Sequence, residues 1–260
     1  METIDRALSI PVSTHTRGAE VALAQRLAFV RQLEALTPQQ WDAPTECTRW
    51  TVRDIVAHMA GELDYCRNPL AYTGLVVTWL RHFRELNFLD GTNEAAVHAR
   101  REWTVERLLD EFRRDVPRAV PPPWSRRLPL MGAGGLPRTA TFSYLTDVVL
   151  PRDAWMHRHD IARATGQTVV PDSSDGEIVA QVVRDLALNW SGPDAILTLT
   201  GSGGGTWLLG SGDASPGTQA AEVAAVGFLR RVSGRASEVD LLANAPEPLR
   251  TSLESARVLF

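Results

Sequence analysis

The stretch LPRDAWMHRHDIARATG, residues 150–166, decides how the chain is read. Gly166 stands where a left-handed residue commonly ends a helix, and the helical pattern runs back from it to about Thr141. Asp153 and His157 are four residues apart, so a helix projects both side chains from one face, about 5–6 Å apart at Cβ. Pro151 falls inside the pattern. It brings no backbone donor and its ring clashes with the carbonyl of Asp147, which predicts a kink. Beyond Gly166 the character of the sequence changes, so this helix closes an all-helical first part.

Upstream, apolar residues recur at helical spacing from about Ala19 to Leu36 and stop at Thr37-Pro38. A second helix starts after Thr51, a good N-cap with Asp54 three residues on, and runs to about Cys66, where Asn68-Pro69 ends it. A third apolar segment covers about 70–88. Residues 93–116 read as one amphipathic helix, with Val105, Leu108, Leu109 and Phe112 inward. Residues 1–17 read as a loose arm. Residues 117–138, rich in proline and glycine, read as a long irregular connection of the kind that is either functional or disordered. In the second part, residues 175–189 read as a helix and 195–200 with 206–210 as a hairpin around Gly201–Gly205. Residues 218–233 read as a further helix. The fold class is therefore α+β: an up-and-down helical bundle over 18–168, then a smaller α+β domain over 174–260.

Length and charge exclude more than they assign. A chain of 260 residues fits one large domain or two modest ones. A net charge of −4 with no strongly basic half gives no push toward nucleic acid or an anionic membrane. The two cysteines, Cys47 and Cys66, form no C-x-x-C and no disulfide framework, which points to a reducing cytoplasm. The opening residues lack the basic and apolar regions of a secretory signal. No apolar run approaches the roughly 20 residues that span a bilayer.

Among six histidines, His58 falls on the same side of the second helix as Ile55 and Glu62, facing the bundle interior. Together with Asp153 and His157 it forms a set of three donors that would leave a divalent metal open positions for water or substrate, as catalytic sites do. Imidazole with carboxylate suits zinc and other borderline ions. By spacing alone, the same residues also read as an ordinary helical pair and a satisfied core histidine. Glu62 reads either as a substitute ligand or as a solvated acid. Asp160 either orients the His157 ring or pairs with Arg158 or Arg163. His159 falls on another face, and Asp54 belongs to the helix start. Cys47 and Cys66 lack a helix-start or paired-histidine context and read as small buried hydrophobes. Trp50, Trp79 and Trp155 read as bundle packing.

Residues 41–63, WDAPTECTRWTVRDIVAHMAGEL, carry Trp41, Thr45, Cys47, Trp50, Thr51, Val52, Asp54 and His58 at a distinctive spacing. With residues 150–166 they resemble the DinB-like superfamily and, within it, the mycothiol-dependent maleylpyruvate isomerase family. The resemblance implies that His58, Asp153 and His157 bind zinc. It also implies mycothiol as a cofactor, whose metal-activated thiolate attacks a small electrophilic substrate in an isomerase or an S-transferase. Arg81, Arg84, Arg231 and Arg235 are then candidates to hold carboxylates. The part from about residue 176 resembles the family's smaller, sterol-carrier-type domain. One position departs: the family carries Glu where this chain has Asp153, a side chain one methylene shorter, with Glu62 as the obvious substitute. The alternative is a non-catalytic metal- or small-ligand-binding protein, or a lipid carrier, of the same fold.

Overall fold

The computed structural model describes residues 4–130, 139–236 and 240–260. The chain divides into two compact units, Thr14–Val170 and Met1–Ser13 with Pro171–Phe260.

The first unit is helical. Helix α1 spans His15–Glu34 behind the Thr14 N-cap. Helix α2 spans Val52–Arg67, started by a capping box in which the Asp54 carboxylate accepts from both the Thr51 N–H (2.9 Å) and the Thr51 hydroxyl (2.8 Å). These bonds satisfy donors that a helix start leaves open. The apolar segment that follows forms α3, Ala71–His82, which buries no residue fully and leaves Val77 and Leu80 exposed. Where one helix was expected over 93–116 there are two, α4 at Phe88–His98 and α5 at Val105–Asp115. The break is local chemistry: the Thr104 hydroxyl accepts from the Arg107 N–H (3.3 Å) and starts a fresh helix. Leu108 and Phe112 of α5 are wholly buried, Phe112 against Phe29 of α1 with ring centroids 5.3 Å apart.

The last helical stretch of this unit holds the expected break in another form. Helix α6, Phe142–Tyr144, runs through a π-helical segment, Leu145–Val149, into α7, Leu150–Thr165. The N–H of Leu150 bonds the carbonyl of Leu145, five residues back. Pro151 has no N–H to offer Asp147 and its ring needs room there, so the widened turn takes the place of a sharp kink. Gly18 of α1 makes that turn fit. A Cβ on Gly18 would lie 2.6 Å from the Asp147 carbonyl oxygen and 2.7 Å from its Cα. Gly166, at φ 73°, closes α7 in the left-handed region. Of the long connection, residues 131–138 lie outside the described residues. Its ends include a short 3-10 turn, Pro123–Ser125, and a bridge between Pro129 and Thr141.

The second unit carries a four-stranded sheet in the order β1-β3-β2-β4. Strand β1 is Asp5–Arg6, paired parallel to β3, Gly205–Leu209. The residues expected as a loose arm are thus partly built in: Arg6 donates to the Ser211 carbonyl (2.8 Å), and Ala7 is wholly buried. Helix α8, Asp175–Leu188, precedes β2, Ala195–Thr200, which forms the expected antiparallel hairpin with β3. Gly201 (φ 91°) and Gly203 (φ 73°) supply the positive φ that this turn requires. The expected helix over 218–233 begins instead as strand β4, Gln219–Ala224, parallel to β2. Ala221 and Val223 are buried while Ala220, Glu222 and Ala224 are exposed, so pairing and period-two burial override an alanine-rich sequence. Helix α9 follows at Ala225–Val232 and α10 at Glu247–Ser255. No helix among the described residues is long and apolar enough to cross a membrane.

Candidate metal centre

Helix α2 brings His58 and, one turn later, Glu62 to the bundle interior; α7 brings Asp153 and, one turn later, His157. All four are buried. The Nε2 of His58 lies 3.3 Å from Asp153 Oδ2, and the Nε2 of His157 lies 3.5 Å from the same oxygen. One donor atom from each of these three residues falls within 4.8 Å of the others. Glu62 Oε1 sits 3.7 Å from His58 Nε2 and accepts from the Tyr65 hydroxyl at 3.4 Å. Its second oxygen, like the Nδ1 of His58, is buried with no hydrogen-bond partner.

The two imidazoles are held differently. Asp160 Oδ2 accepts from His157 Nδ1 at 3.0 Å. A carboxylate can only accept, so Nδ1 carries the proton and the Nε2 lone pair faces the cluster. Asp160 is wholly buried and therefore orients the ring. This bond to His157 decides between the two roles the sequence left open. His58 is backed by the Trp50 ring, with centroids 4.9 Å apart, and the Trp50 N–H is anchored on Glu94 at 3.0 Å. Trp50 also comes within 6.2 Å of the His157 ring. It walls the cluster besides packing the bundle.

Burial is the dominant force on these groups. It pushes the His58 imidazole below its ordinary value, against the bond and charge of Asp153. It holds the Glu62 carboxyl well above its own, helped by the negative charge of Asp153. At His157 burial works downward, but Asp153, Asp160 and Cys47 outweigh it and leave the imidazole well above its usual pKa. Two imidazoles and two carboxylates thus share a dry space.

Cys47 is the residue that sequence reading missed. Its thiol reaches Asp160 Oδ2 at 3.7 Å and belongs with His157 and Asp160 to a second close group of donors. The residues lie more than a hundred positions apart, so no local spacing betrays the pairing. Cys66 keeps its bland reading: it is wholly buried, accepts from Arg26 at 3.5 Å, and burial pushes its thiol up to about 11. His159 faces away and packs its ring on Trp155 at 4.2 Å. Arg81 and Arg84 are exposed; Arg231 and Arg235 belong to the other unit.

A family model described as the mycothiol maleylpyruvate isomerase N-terminal domain matches residues 22–162, more than half of the chain and all three candidate ligands. Two solved structures share the fold. A histidine-to-alanine mutant of the mycothiol-dependent maleylpyruvate isomerase is 16% identical, with a TM-score of 0.54 over 90% of this chain and 96% of that one. Another crystal structure of the mycothiol-dependent maleylpyruvate isomerase is 18% identical, with a TM-score of 0.48 over the same shares. No curated protein matches the sequence.

Proposed function

We propose, from the premise that the chain belongs to the mycothiol maleylpyruvate isomerase family, that it is a metal- and thiol-dependent enzyme. In this reading it is an isomerase or S-transferase acting on a small electrophilic substrate. The helical unit and the α+β unit would be its two domains, with His58, Asp153 and His157 as metal ligands.

The observation that carries the reading is the convergence of three buried donors, one from α2 and two from α7, within 4.8 Å. Zinc holds nitrogen and oxygen donors at about 2.0–2.2 Å, which sets two members of a tetrahedral shell about 3.4 Å apart. The separations of 3.3 and 3.5 Å around Asp153 Oδ2 fit that spacing without rearrangement. Asp in place of the family's Glu is therefore no obstacle, since the shorter side chain already reaches both imidazoles. An acidic, buried and incompletely satisfied cluster is also costly without a cation to balance it.

When bound, the metal supplies Lewis acidity that ionises a thiol beside it, and mycothiol supplies that thiol. The chain's own residues prepare the ground. Asp160 keeps the His157 proton on Nδ1 and so keeps Nε2 a ligand atom. Glu62, with one oxygen unpartnered, holds a proton next to His58. Trp50 keeps water off the back of the His58 ring.

Elemental analysis of the purified protein tests the centre: one zinc or similar ion per chain is expected, lost in His58→Ala and in His157→Ala. Titration of a cobalt-substituted form with mycothiol tests the cofactor through its absorption spectrum. Absence of stoichiometric metal after zinc is added sinks the metal reading. An unchanged cobalt spectrum sinks the thiol reading.

A further inference from the structure

The proline-rich start of the long connection lines a feature that the metal centre does not use. A cavity of about 390 Å³ lies in the helical unit between α1, residues 116–121 and the π-helical turn. None of the candidate ligands touches it. Its walls are mainly apolar, with Ala22, Leu23, Val116 and Val120 among them. Its size falls in the lower part of the ~300–1,000 Å³ typical of small-molecule sites.

Arg26 lines this cavity and is 3% exposed. Its guanidinium donates to two neutral acceptors, the Ala119 carbonyl at 3.2 Å and the Cys66 sulfur at 3.5 Å. Its Nε is buried with no partner, and it forms no ion pair among the described residues. A buried cation without a counter-charge is expensive, and the open space beside it is where a counter-charge fits. The other charged groups of the lining are already engaged. Asp147 receives the His15 ring at 3.1 Å and the Thr146 hydroxyl at 3.1 Å. Glu20 pairs with Arg17 at 3.4 Å on the exposed rim.

We propose that this cavity is a second binding site, for a small organic carboxylate with an apolar body. The carboxylate binds at Arg26, and the body lies along Ala22, Leu23, Val116 and Val120. The site is independent of the metal reading, because its residues and those of the metal centre do not overlap.

Calorimetric titration of the whole protein with hexanoate, hexanol and hexylamine tests the assignment, since the three probes share one body and differ in head group. Hexanoate should saturate a single site and bind about tenfold tighter than either analogue, the usual value of a charge-assisted hydrogen bond. Val120 is 53% exposed, so Val120→Trp fills the cavity from its rim without disturbing the core and should abolish binding. Arg26→Gln should remove the preference for the acid over the alcohol. His58→Ala should bind hexanoate as the wild type does. The proposal falls if hexanoate shows no saturable binding, if hexanol or hexylamine matches it, if Val120→Trp binds it unchanged, or if His58→Ala abolishes it.

Discussion

At the scale of single residues, the centre depends on groups that never face it. His157 presents Nε2 to the cluster only because Asp160 holds the opposite ring nitrogen at 3.0 Å. Losing such a partner typically weakens metal binding by about 10–100-fold. Asp160→Asn, which keeps the shape but can donate toward Nδ1, should therefore lower zinc affinity by that order in competition with a chelator while the fold persists. Unchanged affinity would reduce Asp160 to a packing residue. Cys66 makes a pH-dependent contribution of known sign. Its thiol titrates near 9.0 when unfolded and near about 11 in the fold, so between those values the unfolded chain has released a proton that the folded chain keeps. Stability must fall as pH rises through that window, by roughly 2–3 kcal/mol at about 1.4 kcal/mol per pKa unit. Denaturant titrations at pH 8 and 11 should show a clearly smaller fall in Cys66→Ala; equal falls would contradict the burial argument. His58, Asp153 and His157 were legible in sequence because each lies in a helical stripe whose inward face is set by its neighbours. Cys47 was not, because it sits in the irregular segment before α2 and meets Asp160 only through the tertiary fold.

At the scale of elements, the helices of the first unit were read by periodicity and capping, and the errors fell where two signals compete. The pattern over 93–116 stays amphipathic through the break between α4 and α5, and only the Thr104 cap marks the restart. Pro151 announced an irregularity in the last helix of that unit, but sequence does not say whether a proline is met by a bend or by a widened turn. The answer lies in α1, where Gly18 lets the π segment approach until its Asp147 carbonyl would lie 2.6 Å from an added Cβ. Gly18→Ala should force the two elements apart and lower stability by roughly 1–3 kcal/mol, the usual cost of overpacking, although alanine is the better helix former. Urea unfolding that showed Gly18→Ala as stable as the wild type would mean that the approach is not tight. The π turn also carries Asp147 to the wall of the Arg26 cavity, so this variant should weaken hexanoate binding as well.

At the scale of the whole molecule, the two-part organisation was legible from the change of pattern after Gly166, but membership of the parts was not. Ten polar and apolar residues with a proline look like an arm, and two residues are too few to show a strand period. They become a strand because β3 offers an open edge: Asp5 pairs with Trp207 and Arg6 with Leu208. The same logic made β4 from an alanine-rich run that local propensity assigns to a helix. An edge left open is costly and prone to mispairing, and further on the Gln181 amide donates to the Pro11 carbonyl at 2.8 Å. Removing residues 1–11 should thus act on a unit whose remaining residues begin at Pro171. Amides of Trp207–Leu209 should exchange faster with deuterium, by a free energy of the order of 1–3 kcal/mol for loss of pairing and of the buried Ala7. Metal content and hexanoate binding, both seated in Thr14–Val170, should not change. Slow exchange in the shortened chain would mean that β3 holds without its partner, and the N-terminal strand would then be an ornament of the sheet, not a part of its stability.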